Sequence, residues 1–146
     1  MIAYLDSSVL ARAYLADEDG HEQAIALLDD PEIAAVTGTW TRIEVSGALL
    51  RAARSGCADA DGLLALLDAD LADEGSVTVL RPQQGHVEET ALRLVREHAL
   101  RAMDAWHLSV ASLTIPGLAE PGEEIGFASR DEAQAAVAVV LGFERV

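Results

Sequence analysis

Ile2-Ala3-Tyr4-Leu5-Asp6-Ser7-Ser8-Val9-Leu10 opens the chain with an apolar run that stops on an acid and two small hydroxyl residues. Such a run, 2–5, reads as a strand, and 7–16 as the helix that follows it, with Asp6 or Ser7 as its N-cap. The same alternation continues along the chain. Helices are predicted over 21–28, 40–53, 61–71, 87–97, 103–113 and 132–141. Strands are predicted over 33–36, 77–80, 125–128 and 143–146, and 114–122 is the one loop-rich stretch. Short strands alternating with longer helices predict an α/β fold with a central, mainly parallel sheet flanked by helices. No repeat or linker interrupts residues 1–146, which read as a single domain.

Within this frame the placement of certain acids stands out. Asp6 ends the first predicted strand, and Asp131 lies just past the strand at 125–128. Asp104 opens a helix among apolar neighbours, Ala102-Met103-Asp104-Ala105-Trp106, and Glu44 sits mid-helix in Arg42-Ile43-Glu44-Val45. Ligand sites in open α/β sheets form beyond the carboxyl ends of strands, so these acids are expected to converge there. Carboxylates beside apolar segments are costly to desolvate without a compensating positive charge. A divalent cation supplies that charge, and oxygen-rich sites suit Mg²⁺ or Mn²⁺. The pattern therefore points to metal-dependent phosphodiester chemistry.

Composition sets the bounds. At 146 residues and 51% hydrophobic, the chain can bury the core of one ordinary domain. No apolar stretch approaches the roughly 18–20 residues of a membrane span, and no basic leader precedes Asp6. Cys57, the single cysteine, excludes an internal disulfide and is read as a turn residue, which favours a cytoplasmic setting. The net charge of −15 argues against a simple nucleic-acid binder. All ten basic residues are arginine, and Arg42, Arg51 and Arg54 share the helix of Glu44 as a possible phosphate-facing patch.

These segments together resemble the PIN-domain ribonucleases, most closely the VapC-type toxins of bacterial toxin–antitoxin pairs. Leu5-Asp6-Ser7-Ser8-Val9-Leu10 is similar to the opening motif, and Arg42-Ile43-Glu44-Val45 with Ala48-Leu49 to the central glutamate helix. The strongest match is Leu100-Arg101-Ala102-Met103-Asp104-Ala105-Trp106-His107-Leu108-Ser109-Val110-Ala111, and Phe127-Ala128-Ser129-Arg130-Asp131 resembles the closing segment. The resemblance implies a PIN-like three-layer sandwich and Mg²⁺- or Mn²⁺-dependent endonucleolytic hydrolysis of RNA. Asp6, Glu44 and Asp104 would hold the metal, Asp131 would complete the site, and Ser8 and Ser129 would orient carboxylates and metal waters. It also implies a cognate antitoxin protein and a homodimer, with the helices at 61–71 and 40–54 as candidate contacts.

Simpler readings stand beside these. Asp6 can be a plain helix cap, Glu44 an exposed acid paired with Arg51 or another arginine, and Asp104 and Asp131 acids at helix N-termini. His107, three residues after Asp104, is read as tied to the fold in preference to a metal ligand or general base. Trp40 and Trp106 are read as packing anchors. Other chemistries fail on missing residues: a receiver needs a lysine, and no phosphate loop or Gly-x-Ser-x-Gly elbow is present. The remaining rival is a degenerate PIN-like module that binds RNA or protein without cutting.

Overall fold

The computed structural model describes residues 1–56 and 59–146, so the reading of Cys57 lies outside the described residues. Its order of elements is β1 (Ile2–Leu5), α1 (Ser7–Ala13), α2 (His21–Asp29), β2 (Ala34–Gly38), α3 (Thr39–Arg54) and α4 (Ala60–Asp70). There follow β3 (Thr78–Leu80), α5 (Gln84–His98), α6 (Ala102–Leu118), β4 (Ile125–Ala128), α7 (Glu132–Val140) and β5 (Glu144–Arg145). The strands form one five-stranded sheet in the order β3-β2-β1-β4-β5, with every pairing parallel.

β1 lies at the centre, and all of Ile2, Ala3, Tyr4 and Leu5 are buried. A parallel strand covered on both faces needs such a continuous apolar run, which is why the opening segment could be read. Its side chains alternate between two cores. Ile2 and Tyr4 join Val36, Phe127, Leu94 and Leu108 on the face covered by α5, α6 and α7. Leu5 joins Ala35, Ala128, Leu10, Val45 and Leu67 on the face covered by α1 to α4. The result is the expected three-layer α/β architecture.

Two helices differ in length from the sequence reading. The helix expected to end at 113 continues as α6 to Leu118, through Pro116, so most of 114–122 is not loop. Proline lacks an N–H donor, but here that deficit falls in the last turn of the helix. Ile115 is fully buried, the Thr114 hydroxyl donates to the Val110 carbonyl at 2.6 Å, and Ala119 N–H closes on Ile115 O. Burial of the turn outweighs one missing hydrogen bond. α1, in contrast, stops at Ala13, short of the expected 16, because Tyr14 and Leu15 N–H tighten onto Ala11 O and Arg12 O.

Chain order places the switch in connection beside β1, which has β2 on one flank and β4 on the other. The crevice beyond the carboxyl ends of β1 and β4 is where such sheets bind ligands. Asp6 N–H donates to Ala128 O at 3.1 Å, tying the two strand ends together there.

Candidate active site

Asp6 is the N-cap of α1, and it does more than cap. Oδ1 accepts from Ser8 N–H at 2.9 Å, Val9 N–H at 3.1 Å and the Ser8 hydroxyl at 2.6 Å. Oδ2 accepts from the Ser129 hydroxyl at 3.0 Å. The residue is only 4% exposed, and no basic side chain among the described residues pairs with it. Burial pushes its carboxyl above the ordinary aspartate range, and the bonds from Ser8 and Ser129 offset this only in part.

Glu44 projects from the middle of α3 toward the same strand end. Its Oε2 accepts from the Ser7 hydroxyl at 2.8 Å and from His107 Nε2 at 2.7 Å. Partial burial pushes this carboxyl up, but the bonds from His107 and Ser7 outweigh it and hold it below the usual glutamate range. The pairing with Arg51 considered from sequence is therefore not the one formed. Of the three arginines of α3, Arg42 is committed to Asp68 of α4 at 2.7 Å.

Asp104 stands in the first turn of α6, where the helix dipole favours an anion. Asp131 is the N-cap of α7, its Oδ1 accepting from Gln134 N–H at 3.0 Å. The two share one cation: Arg101 Nε donates to Asp104 Oδ2 at 3.0 Å and Arg101 Nη2 to Asp131 Oδ2. The Gln134 cap and the guanidinium together hold the Asp131 carboxyl below its ordinary range.

Polar side chains string the acids together. The Ser129 hydroxyl faces Asp6 Oδ2 and Gln134 Oε1, and accepts from Asp131 N–H at 2.9 Å. Buried Gln134 in turn donates through Nε2 to the Asp104 carbonyl at 3.1 Å. Hydrogen bonds run in the order Asp6, Ser129, Asp131, Arg101, Asp104, and Glu44 joins through Ser7, the chain neighbour of Asp6. Among the described residues, however, no three His, Cys, Asp or Glu side chains stand close enough to hold a metal ion.

The donor set nevertheless fits a hard divalent cation in kind. It is all oxygen, and Glu44 Oε1 and Asp104 Oδ1 carry no hydrogen bond among the described residues. Where positive charge is present, between Asp104 and Asp131, an arginine supplies it. The larger concavities lie elsewhere, such as one of about 650 Å³ bordered by Tyr14, Leu63 and Leu66. An open acidic strand end suits a polymer lying across it better than an enclosed small molecule.

The model of the PIN domain matches residues 3–140 of this sequence. The chain belongs to the PIN-domain family. PIN domains are generally of nuclease type, and the fold and the strand-end acids described above agree with that class. No curated protein matches the chain. No helix among the described residues of this PIN domain is long and apolar enough to cross a membrane.

Several participants in the PIN-domain site escaped the sequence reading. Ser7 was passed over as a cap, and Tyr4, Arg101 and Gln134 were not singled out for the site. His107 is tied to the fold as expected, at 2% exposure, but it is tied to Glu44 as well. Its spacing of one helical turn from Asp104 was legible, but its partner Glu44 lies on a different helix. Trp106 packs against the core, whereas Trp40 is 47% exposed and anchors little.

Proposed function

We propose that this PIN domain is a metal-dependent endoribonuclease of the VapC toxin type. The observation that carries the reading is Asp6: a carboxylate buried at the end of the central strand, held by hydroxyl and backbone donors, with no ion-pair partner among the described residues. Burying an acid so costs stability and is explained by a cation that the site receives. Asp6, Glu44 and Asp104 would hold Mg²⁺ or Mn²⁺, with Asp131 completing the set once Arg101 gives way. When bound, the cation supplies Lewis-acid stabilisation of charge developing on the phosphodiester.

The chain's own residues orient the site. Ser8 and Ser129 clasp the two oxygens of Asp6, and Ser7 and His107 fix one oxygen of Glu44. The carboxylates so held are available to position a water for attack on the phosphorus, with the ribose oxygen leaving. RNA would lie across the strand ends. The resemblance to VapC toxins adds a cognate antitoxin that silences the nuclease, a homodimer and a cytoplasmic setting.

Cleavage of RNA with added Mg²⁺ or Mn²⁺, compared with Asp6→Asn and Asp104→Asn, tests the reading. Activity in the wild type that is lost in both variants supports it; equal cleavage by all three sinks it. Arg101 lying across Asp104 and Asp131 favours a second reading, a PIN-like module that binds RNA or protein uncut. RNA binding without cleavage at any Mn²⁺ concentration would select that one.

A further inference from the structure

Glu44 is held by an arrangement that spans three elements and ends far from any solvent. His107 of α6 presents Nε2 to Glu44 Oε2 at 2.7 Å, and its Nδ1 lies 2.8 Å from the hydroxyl of Tyr4 in β1. An ionised carboxylate accepts but never donates, so Nε2 carries the proton that faces Glu44. In the neutral ring this leaves Nδ1 to accept from the Tyr4 hydroxyl. Tyr4 and Trp106 pack edgewise on the imidazole, at 5.8 and 5.3 Å between ring centres. Tyr4 is itself stacked on Phe127 at 5.2 Å. The imidazole therefore cannot turn without moving the central strand.

The approach of these rings requires Gly38 at the start of α3. A Cβ there would stand 2.7 Å from both the Tyr4 hydroxyl and the Trp106 ring.

A glutamate has three side-chain torsions, and ordering it costs conformational entropy each time the site must be formed. Here Ser7 and His107 both bond Oε2, and Oε1 is left without a hydrogen-bond partner among the described residues. One oxygen is fixed and the other is presented. We propose that His107 is the positioning residue of Glu44, with Tyr4 locking its ring, so that Oε1 is pre-aimed at the cation.

The inference rests on the reading that Glu44 serves a divalent cation, and Mn²⁺ affinity tests it without recourse to cleavage. Free Mn²⁺ is followed by electron paramagnetic resonance during titration of the full chain, with circular dichroism as the check of folding. His107→Gln places an amide nitrogen where Nε2 stood and keeps the bond to Glu44. His107→Asn reaches only the Nδ1 position and loses it. Outer partners of metal-holding side chains typically contribute about 10–100-fold to affinity. The Asn variant is expected to bind Mn²⁺ at least about 10-fold more weakly and the Gln variant within about 3-fold of wild type.

A histidine that only fills the core would make both variants less stable and leave the affinity of each unchanged; that result overturns the proposal. Tyr4→Phe deletes one oxygen from an unaltered ring stack and decides the matter if the Asn variant does not fold. Weaker Mn²⁺ binding supports the lock, and wild-type affinity overturns it. Absence of Mn²⁺ binding in the wild type would instead overturn the cation reading itself.

Discussion

The two halves of the acidic site are built on opposite principles. On one side Asp6 and Glu44 are held by the hydroxyls of Ser7, Ser8 and Ser129 and the imidazole of His107, and Asp6 is buried. On the other, Asp104 and Asp131, each partly buried, share a single guanidinium whose own side chain is 75% exposed. Burial raises the Asp6 carboxyl, whereas the Gln134 cap and Arg101 lower that of Asp131. Asp6 thus stores electrostatic stress in the inner half, and Arg101 relieves it in the outer half. The difference teaches which half limits the fold and which half is adjustable.

The largest expected effect comes from relieving the stress. Asp6→Asn is predicted to lower Mn²⁺-dependent RNA cleavage by at least about 10³-fold. The same change should stabilise the fold. The Ser129 hydroxyl has one hydrogen but faces two acceptors, Asp6 Oδ2 and Gln134 Oε1. An amide at position 6 donates to Ser129 and frees that hydrogen for Gln134, a gain on the order of 1 kcal/mol.

The gain should also depend on pH. A group whose folded pKa is raised contributes stability that is full below its unfolded pKa and is lost as pH rises through the folded one. Thermal melts of wild type and Asp6→Asn should therefore diverge as pH climbs above the ordinary aspartate value of 3.8. Glu44 runs the other way: its lowered pKa gives stability that is present above 4.5 and lost as pH falls through the folded value. Melts that move together across this range would show that the inner half is not stressed.

Ser129→Ala attacks the same half from outside. It leaves Asp6 Oδ2, Gln134 Oε1 and Asp131 N–H without the hydroxyl they share. Unpairing buried polar groups costs about 1–3 kcal/mol, which chemical denaturation will read directly. A loss this large from one buried hydroxyl would confirm that the string of bonds from Asp6 to Asp131 acts as a unit. No loss would break it into separate caps.

How far the sequence revealed these halves follows from what each is made of. β1 was legible because a strand buried on both faces must be apolar throughout, and Asp6 because it ends that run. Asp104 and Asp131 were legible as acids at helix starts. The links between them were not, since Ser7, Tyr4, Arg101 and Gln134 meet only after β1, α3, α6 and α7 pack. His107 shows the limit most clearly: one turn from Asp104, it faces Glu44 across 63 positions of chain. Helix α6 ran past its expected end for a related reason, because burial of Ile115 is a tertiary fact that a local Pro-Gly pair hides.

The smallest effect on stability, and the sharpest on the comparison, belongs to Arg101→Gln. Exposed ion pairs are screened by water and contribute little, so melting should change little. Cation binding should change in the favourable direction. In the folded chain the guanidinium and an incoming Mn²⁺ compete for Asp104 Oδ2 and Asp131 Oδ2, and only one can neutralise them. Removing the competitor leaves both carboxylates with the cation as their sole counter-charge. A tightening of about 3–10-fold in Mn²⁺ affinity is expected, in keeping with a solvent-screened pair. Raising the salt concentration should shrink that advantage, because the guanidinium is screened while the inner carboxylates are not. Weaker binding by Arg101→Gln would mean that the arginine holds the outer acids in place for the metal, and the two halves would then share one principle after all.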